Sequence, residues 1–187
     1  MNEPTGSSGP HSYPSVDYRS NGIYAVTGAG RGSPIGTLVH TTDGVNSLSW
    51  LTGGSAKAGR PASCDTLIAR DGSRTYICPP GRYPYHAGTA EIYLDRRYSG
   101  NEVSKLLFAP ELEARANETV TYAQIDSLAE AIVKEAAKWG WRFPFIIFGH
   151  GGEATPPGRR SDPRHFDWGS LMGRLYVRTL AAGIEGL

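Results

Sequence analysis

The sequence lacks any long apolar run. Its longest apolar strings, such as Phe143 to Phe148, are short and interrupted by Pro144, whereas a membrane-spanning helix needs roughly 18 to 20 apolar residues. Membrane insertion is not expected. Charge of one sign is also scarce, with 19 Lys+Arg against 18 Asp+Glu, so there is no broad positive field of the kind a phosphate-backbone binder uses. Nucleic acid is therefore not an expected partner. Cysteine is sparse: Cys64 and Cys78 are too few for a disulfide scaffold and lack zinc-ribbon spacing. They flank a predicted hairpin, where a cross-strand bond is conceivable, but free thiols are the expectation. The opening MNEPTGSSGPHSYPS has neither the basic start nor the apolar run of a secretory signal, so export by the ordinary route is not expected. No HExxH helix occurs, which excludes the commonest metalloprotease pattern. No internal repeat is present.

What is there suits one globular domain: 187 residues, 39% hydrophobic and 20% charged, a composition too apolar for a disordered chain. Residues 1–21 are rich in Gly, Ser, Pro and Asn with no hydrophobic period, the composition of a flexible arm. The folded domain is expected over residues 22–187.

Hydrophobic periodicity orders the elements. Ile35 to Thr42 reads as a buried strand that delivers His40 near its carboxyl end. Asp43 is expected to cap a helix whose inner face carries Val45, Leu48 and Leu51. Asp65–Ala69 and Thr75–Cys78 form a predicted hairpin through Asp71-Gly72. Thr89 to Ser104 reads as polar loop with at most a turn of helix. Lys105 to Leu112 is strand-like, but Pro110 removes a ladder donor and predicts an edge or a bulge. Between Tyr122 and Trp139, apolar residues from Ile125 to Ala136 recur at helical spacing, with a Thr121/Gln124 capping box before them and Gly140 after. Phe145 to Phe148 predicts a strand, and Asp167 caps a closing helix through Leu171, Met172, Leu175 and Tyr176 to Gly183. Strands alternating with helices predict an α/β fold, with helices on the faces of a central sheet.

Candidate chemistry concentrates in Gly149 to Trp168, GHGGEATPPGRRSDPRHFDW. A histidine directly after an apolar strand, followed by a Gly/Pro-rich loop with arginines and an aspartate, is a polar loop where function commonly sits. Two strand-end histidines and a carboxylate would supply three ligands to zinc and leave a fourth position for water. His40, His150 and Asp162 are the candidates. Taken singly, each has an ordinary reading: a hydrogen-bonded strand-end histidine, or an aspartate that initiates a turn before Pro163. His165 reads as a surface residue, His11 lies in the arm, and Phe166 and Trp168 read as packing that seats the last helix. Trp50 reads as core or groove wall. A rival chemistry, a cysteine hydrolase pairing Cys64 or Cys78 with His86 or His150, is weakened because Cys64 begins a strand and lacks a helix N-terminus to lower its pKa.

Together these pieces resemble the zinc amidase family that unites phage lysins, bacterial amidases recycling anhydro-muropeptides, and the peptidoglycan recognition proteins. The resemblance covers about residues 33–180. It rests on TLVHTT, SCDTLIARDG, the YHAG tetrapeptide and the GH…GRRSDP…FDW block, in the family's order. It implies a single α/β domain with a mixed central sheet flanked by helices, of the peptidoglycan recognition protein type. It assigns His40, His150 and Asp162 as Zn2+ ligands and Glu111, in FAPELE, as general base, with Glu113 two residues on as the competing carboxylate. Arg160 falls where many relatives carry a lysine that faces the scissile carbonyl. His86 falls where relatives line the substrate groove, and Cys64 where some members carry a catalytic tyrosine. The implied activity is N-acetylmuramoyl-L-alanine amidase, acting on bacterial peptidoglycan or muropeptides. The implied setting is a monomeric phage endolysin held in the host cytoplasm until a holin opens the membrane. The competing readings are a muropeptide-recycling amidase and a non-catalytic muropeptide-binding module; Asp162 in its SDP context favours an enzyme.

Overall fold

The computed structural model describes residues 13–17, 23–115 and 117–186. In chain order the strands and helices are β1 (Ser15–Asp17), β2 (Thr27–Ala29), β3 (Gly36–Thr41), α1 (Ser55–Lys57), β4 (Thr66–Ile68) and β5 (Arg74–Tyr76). There follow β6 (Arg82–Pro84), β7 (Glu91–Tyr93), β8 (Arg97–Ser99), α2 (Asn101–Leu106), β9 (Leu107–Phe108) and β10 (Pro110–Leu112). The chain closes with α3 (Tyr122–Trp139), β11 (Ile147–Gly149), α4 (His150–Glu153) and α5 (Trp168–Ala181).

The main sheet runs β1-β5-β4-β10-β3-β11, with β9 also on β3. It is mixed: β4, β10, β3 and β11 are parallel, whereas β5 is antiparallel to β4. The carboxyl ends of β3, β10 and β11 therefore open on one edge, where ligand sites of such sheets gather.

Side-chain alternation along β3 sorts the two faces. Val39 joins Ile68, Leu112, Ile125, Leu128, Ile132, Leu171 and Leu175 in a core beneath α3 and α5. Leu38 points to the other face and packs with Ala87, Ala90, Ile92, Val103 and Leu107. His40 shares parity with Leu38, so it projects to the face covered by the 87–107 segment, at the sheet edge.

Helix α3 forms as its sequence dictates. Thr121 Oγ1 accepts the Gln124 N–H at 3.1 Å, the Gln124 side chain accepts the Thr121 N–H at 3.0 Å, and Gly140 ends the helix at φ 71°. The Asp71-Gly72 hairpin is also present, with Gly72 at φ 87°. Both cysteines are free thiols. No helix among the described residues is long and apolar enough to cross a membrane.

Several expectations are corrected. Within the predicted N-terminal arm, residues 15–17 form β1, an edge strand parallel to β5; the remainder of that arm, His11 included, lies outside the described residues. Asp43 does not cap a helix: it sits in the left-handed region at φ 53°, and Val45 is exposed. The helical segment begins later and passes through a wide turn at Trp50–Gly54, where Leu51 supplies the buried contact.

Pro110 lies in an interior strand, between β4 and β3, and not at an edge. There is no bulge either, because Phe108 opposite Thr37 and Glu111 opposite His40 keep one register. Asp65 bridges the gap in the ladder: its backbone N–H donates to Ala109 O at 2.9 Å and its carboxylate accepts the Ala109 N–H at 2.8 Å. The polar stretch read as loop contains the β7–β8 hairpin and α2. On α5, Leu171 and Leu175 are buried as expected, but Met172 and Tyr176 are exposed.

Candidate metal centre

The site is built where β3 and β11 end side by side. Thr37, Leu38 and Val39 pair with Ile147, Phe148 and Gly149, so His40, next along β3, and His150, next after β11, emerge as neighbours. Gly149 leaves room for the segment that returns after Asp162, since a Cβ there would sit 3.1 Å from the Trp168 ring and 3.3 Å from Pro163. Asp162 is brought in by the returning loop: the Gly151 N–H donates to its carbonyl at 2.5 Å. A bridge between Ala90 and Ala154 ties the same loop to the 87–107 segment.

Three donor atoms converge. His40 Nδ1 lies 3.0 Å from His150 Nδ1, His150 Nδ1 lies 3.2 Å from Asp162 Oδ2, and His40 Nδ1 lies 3.4 Å from that same oxygen. Ligands at about 2.0–2.1 Å in a tetrahedron have edges of about 3.3 Å, so the triangle has the dimensions of a metal site with one corner open. The donor chemistry also fits a cation. His150 Nε2 lies 3.2 Å from Ala87 O; a carbonyl only accepts, so Nε2 carries the hydrogen and Nδ1 turns its lone pair inward. Both histidines are buried, at 3% and 4% exposure.

Electrostatics follow from this burial. Desolvation, the largest influence, lowers His40 to about 4 against the contrary pull of Asp162. Burial would raise the Asp162 carboxyl, but the facing His150 and His40 imidazoles outweigh it and hold the group well below the usual range. Glu111 is raised to about 8, first by desolvation and then by the Asp162 charge, with Arg160 opposing.

An open cleft of about 350 Å³ lies over the triad. Glu111 lines it, whereas the Glu113 carboxylate is engaged by the Ser47 N–H at 3.1 Å. Arg159, Arg160 and Arg164 also line the cleft and are exposed; Arg159 donates to Thr155 O at 3.0 Å and Arg164 to Ser161 Oγ at 2.5 Å. Trp50 is a groove wall, 43% exposed.

His86 borders the cleft but is 8% exposed, with Nδ1 3.0 Å from His40 Nε2 and its own Nε2 buried without a hydrogen-bond partner. His86 lines the cleft as the sequence reading has it, but its ring nitrogens are turned away from solvent, one toward His40 and one into the interior. His165 is exposed, and Phe166 is buried in the main core as a packing residue should be, whereas Trp168, edge-on to it at 4.6 Å, is 38% exposed. The Cys64 and Cys78 thiols are both pushed up by burial, which removes the thiolate that a cysteine hydrolase needs. Nothing in the sequence marks Ala87 and Ser104, because they take part through a backbone carbonyl and a hydroxyl behind the site.

The fold and site define a mixed α/β domain with a candidate mononuclear His/His/Asp metal centre at the carboxyl edge of its sheet. Over residues 31–165 the chain matches the sequence model of the N-acetylmuramoyl-L-alanine amidases, and it belongs to that family. It is an amidase of the bond between N-acetylmuramic acid and L-alanine, with peptidoglycan or its fragments as substrate. A comparison with curated protein sequences finds no match.

Among solved structures, AmpD, in a selenomethionine derivative, is 21% identical with a TM-score of 0.63, over 87% of this chain and 94% of that one. The endolysin amidase LysCS from Clostridium intestinale URNW is 16% identical with a TM-score of 0.64, over 90% and 99%. AmiD from E. coli, solved with anhydro-N-acetylmuramic acid-L-Ala-D-gamma-Glu-L-Lys, is 19% identical with a TM-score of 0.61, over 83% and 60%. At these identities the likeness establishes the fold.

Proposed function

We propose that the chain is a zinc-dependent amidase in which His40, His150 and Asp162 hold the metal and Glu111 moves the proton. The observation that carries this reading is the convergence of two imidazole nitrogens and a carboxylate oxygen within 3.4 Å, with Glu111 beside them in the cleft. A bound zinc ion supplies Lewis acidity toward the amide carbonyl and lowers the pKa of water toward about 7.

The chain's own residues do the rest. Glu111 accepts a proton from the attacking water, whose oxygen bonds to the lactyl carbonyl carbon of the muramic acid. The same carboxyl then donates that proton to the alanine nitrogen as the carbon–nitrogen bond breaks. Arg160, which lines the same cleft, supplies the positive charge that stabilises the developing oxyanion. The products are a muramic acid carboxylate and a stem peptide with a free L-alanine amine.

The biological setting we propose is lytic: an endolysin that accumulates in the host cytoplasm and acts on polymeric wall once the membrane is opened. The likeness to LysCS over nearly all of both chains supports it. The comparable likeness to AmpD favours a second reading, cleavage of soluble fragments.

One experiment separates these readings. Purified sacculi and soluble anhydro-muropeptides are digested with wild type and Asp162→Ala, products are read by mass spectrometry, and zinc is measured on both proteins. Free-alanine stems from sacculi with wild type alone, and zinc lost from the variant, are expected. Products from soluble fragments only would select the recycling role. Broken glycan would reject the bond assignment, and bound zinc with no product from either substrate would leave a binding module.

A further inference from the structure

The segment behind the metal triangle serves both histidines at once. His40 Nε2 meets His86 Nδ1 at 3.0 Å, and His150 Nε2 meets the carbonyl of the next residue, Ala87, at 3.2 Å. Ala87 is wholly buried, and its N–H donates to the hydroxyl of Ser104 on α2 at 3.2 Å; Ser104 is itself 1% exposed. The backs of two ligands, one on β3 and one just after β11, therefore rest on one dipeptide, which is pinned to a helix.

From this arrangement we infer that His86-Ala87 is the positioning element of the metal site, and that His86 sets the tautomer of His40 by accepting its Nε2–H. A neutral imidazole that presents Nδ1 to a cation must carry its hydrogen on Nε2. The Ala87 carbonyl can only accept, so it fixes His150 in that form. His86 does the same for His40 when its Nδ1 is the acceptor, which places the His86 hydrogen on Nε2.

That last nitrogen is buried with no partner. An unsatisfied buried donor is costly, and it is the consequence of devoting the other ring nitrogen to His40. A substrate contact is the alternative use for a histidine here, and it fails on geometry: Nδ1 is occupied and Nε2 does not reach the cleft. The edge-on packing of the two rings, 5.1 Å between centroids at 86°, also fixes the plane of His40.

This inference rests on the proposed zinc reading and is tested on the zinc-loaded protein. An asparagine at 86 places its side-chain oxygen near the position of the imidazole Nδ1, whereas a glutamine reaches past it. His86→Ala and His86→Gln are therefore expected to weaken zinc binding by about 10–100-fold, the usual loss for an outer-shell partner of a ligating histidine. His86→Asn should recover most of that loss. Zinc affinity is read by competition with a chromophoric chelator, beside a thermal melt of each variant. Histidine ¹⁵N NMR of the loaded proteins should show the His40 Nε2–H protected from exchange in wild type and in His86→Asn and unprotected in His86→Gln. The His150 Nε2–H should be protected in all of them.

Unchanged zinc affinity in folded His86→Gln overturns the inference while leaving the zinc amidase reading intact. So does a rise in KM with zinc affinity and kcat unmoved, since that marks a substrate contact. Equal loss of the His40 and His150 signals overturns it as well, because it marks general unfolding of the site. Failure of the wild type to bind zinc overturns the amidase mechanism, and this inference with it.

Discussion

Glu111 stands directly opposite His40 in the parallel pairing of β10 with β3. Parallel strands in register place such residues on the same face of the sheet, so the proposed base is fixed relative to the metal triangle by backbone pairing. Glu113, two residues on, is instead held by the Ser47 N–H. The two carboxylates should separate in a kinetic comparison. Glu111→Gln should keep its zinc and lose about 10²–10⁴-fold in kcat. Glu113→Gln should lose about 1 kcal/mol of stability through a weakened hydrogen bond, with kcat close to wild type. A Glu113→Gln variant as inactive as Glu111→Gln would reverse the assignment.

The Glu111 environment also predicts a pH dependence of the metal-free protein. A carboxyl raised from its usual 4.5 to about 8 binds its proton more tightly when folded, so its contribution to stability is full below 4.5 and is lost as pH rises toward 8. His40 and His86, both lowered from 6.5 by burial, act in the opposite sense: stability rises with pH up to 6.5 as their unfolded forms lose protons. Above pH 6.5 the Glu111 effect acts without that opposition. The melting temperature of the metal-free protein should therefore pass a maximum near pH 6.5 and decline toward pH 8. Glu111→Gln should abolish the decline, and persistence of the same decline in that variant would show another group to be responsible.

The three arginines on the cleft wall make different contacts. Arg159 and Arg164 are tied to Thr155 O and Ser161 Oγ, whereas Arg160 lies close enough to lower both Glu111 and His40 electrostatically. Arg160→Ala should cost about 10²–10³-fold in kcat, the loss seen when one oxyanion donor is removed. Arg160→Lys should recover part of it, since a lysine keeps the charge but not the planar fork. Arg159→Ala and Arg164→Ala should act mainly on KM. Steady-state kinetics on a soluble muropeptide would check all four.

What could be read in the sequence was whatever local chemistry enforces. Thr121, Gln124 and Gly140 predicted the ends of α3, and Asp71-Gly72 predicted the hairpin, because caps and turns depend on neighbours within a few residues. His40, His150 and Asp162 were candidates from their strand-end and loop positions, a motif resemblance assigned them as ligands, and the structure brings all three together. Pro110 misled because its missing donor is offset by Asp65, 45 positions earlier in the chain, a long-range contact that no local pattern reports. The β7–β8 hairpin was missed because Glu91 to Ser99 has no apolar alternation; its strands pair above the sheet around one buried residue, Ile92. His86 reads as a groove residue and does line the cleft, but its contact with His40, 46 residues away, is a long-range feature that no local pattern reports.

Gly151 supplies a test of how the third ligand is placed. It follows His150 directly, and its N–H holds the Asp162 carbonyl. A Cβ there would lie 2.9 Å from both the Cα and the carbonyl carbon of Ser161 and 3.1 Å from the Asp162 oxygen. All three are backbone atoms, so no side-chain rotation can relieve the clash, and the loop carrying Asp162 must move away from His150. Gly151→Ala should therefore fold, because α3, α5 and the sheet are untouched, yet bind zinc more weakly. Gly152→Ala, with open space around its Cβ, is the matched control and should bind zinc as wild type does. The check is zinc affinity by chelator competition beside a thermal melt of each variant. Equal affinities in the two variants would mean that the position of Asp162 does not depend on the close approach at Gly151.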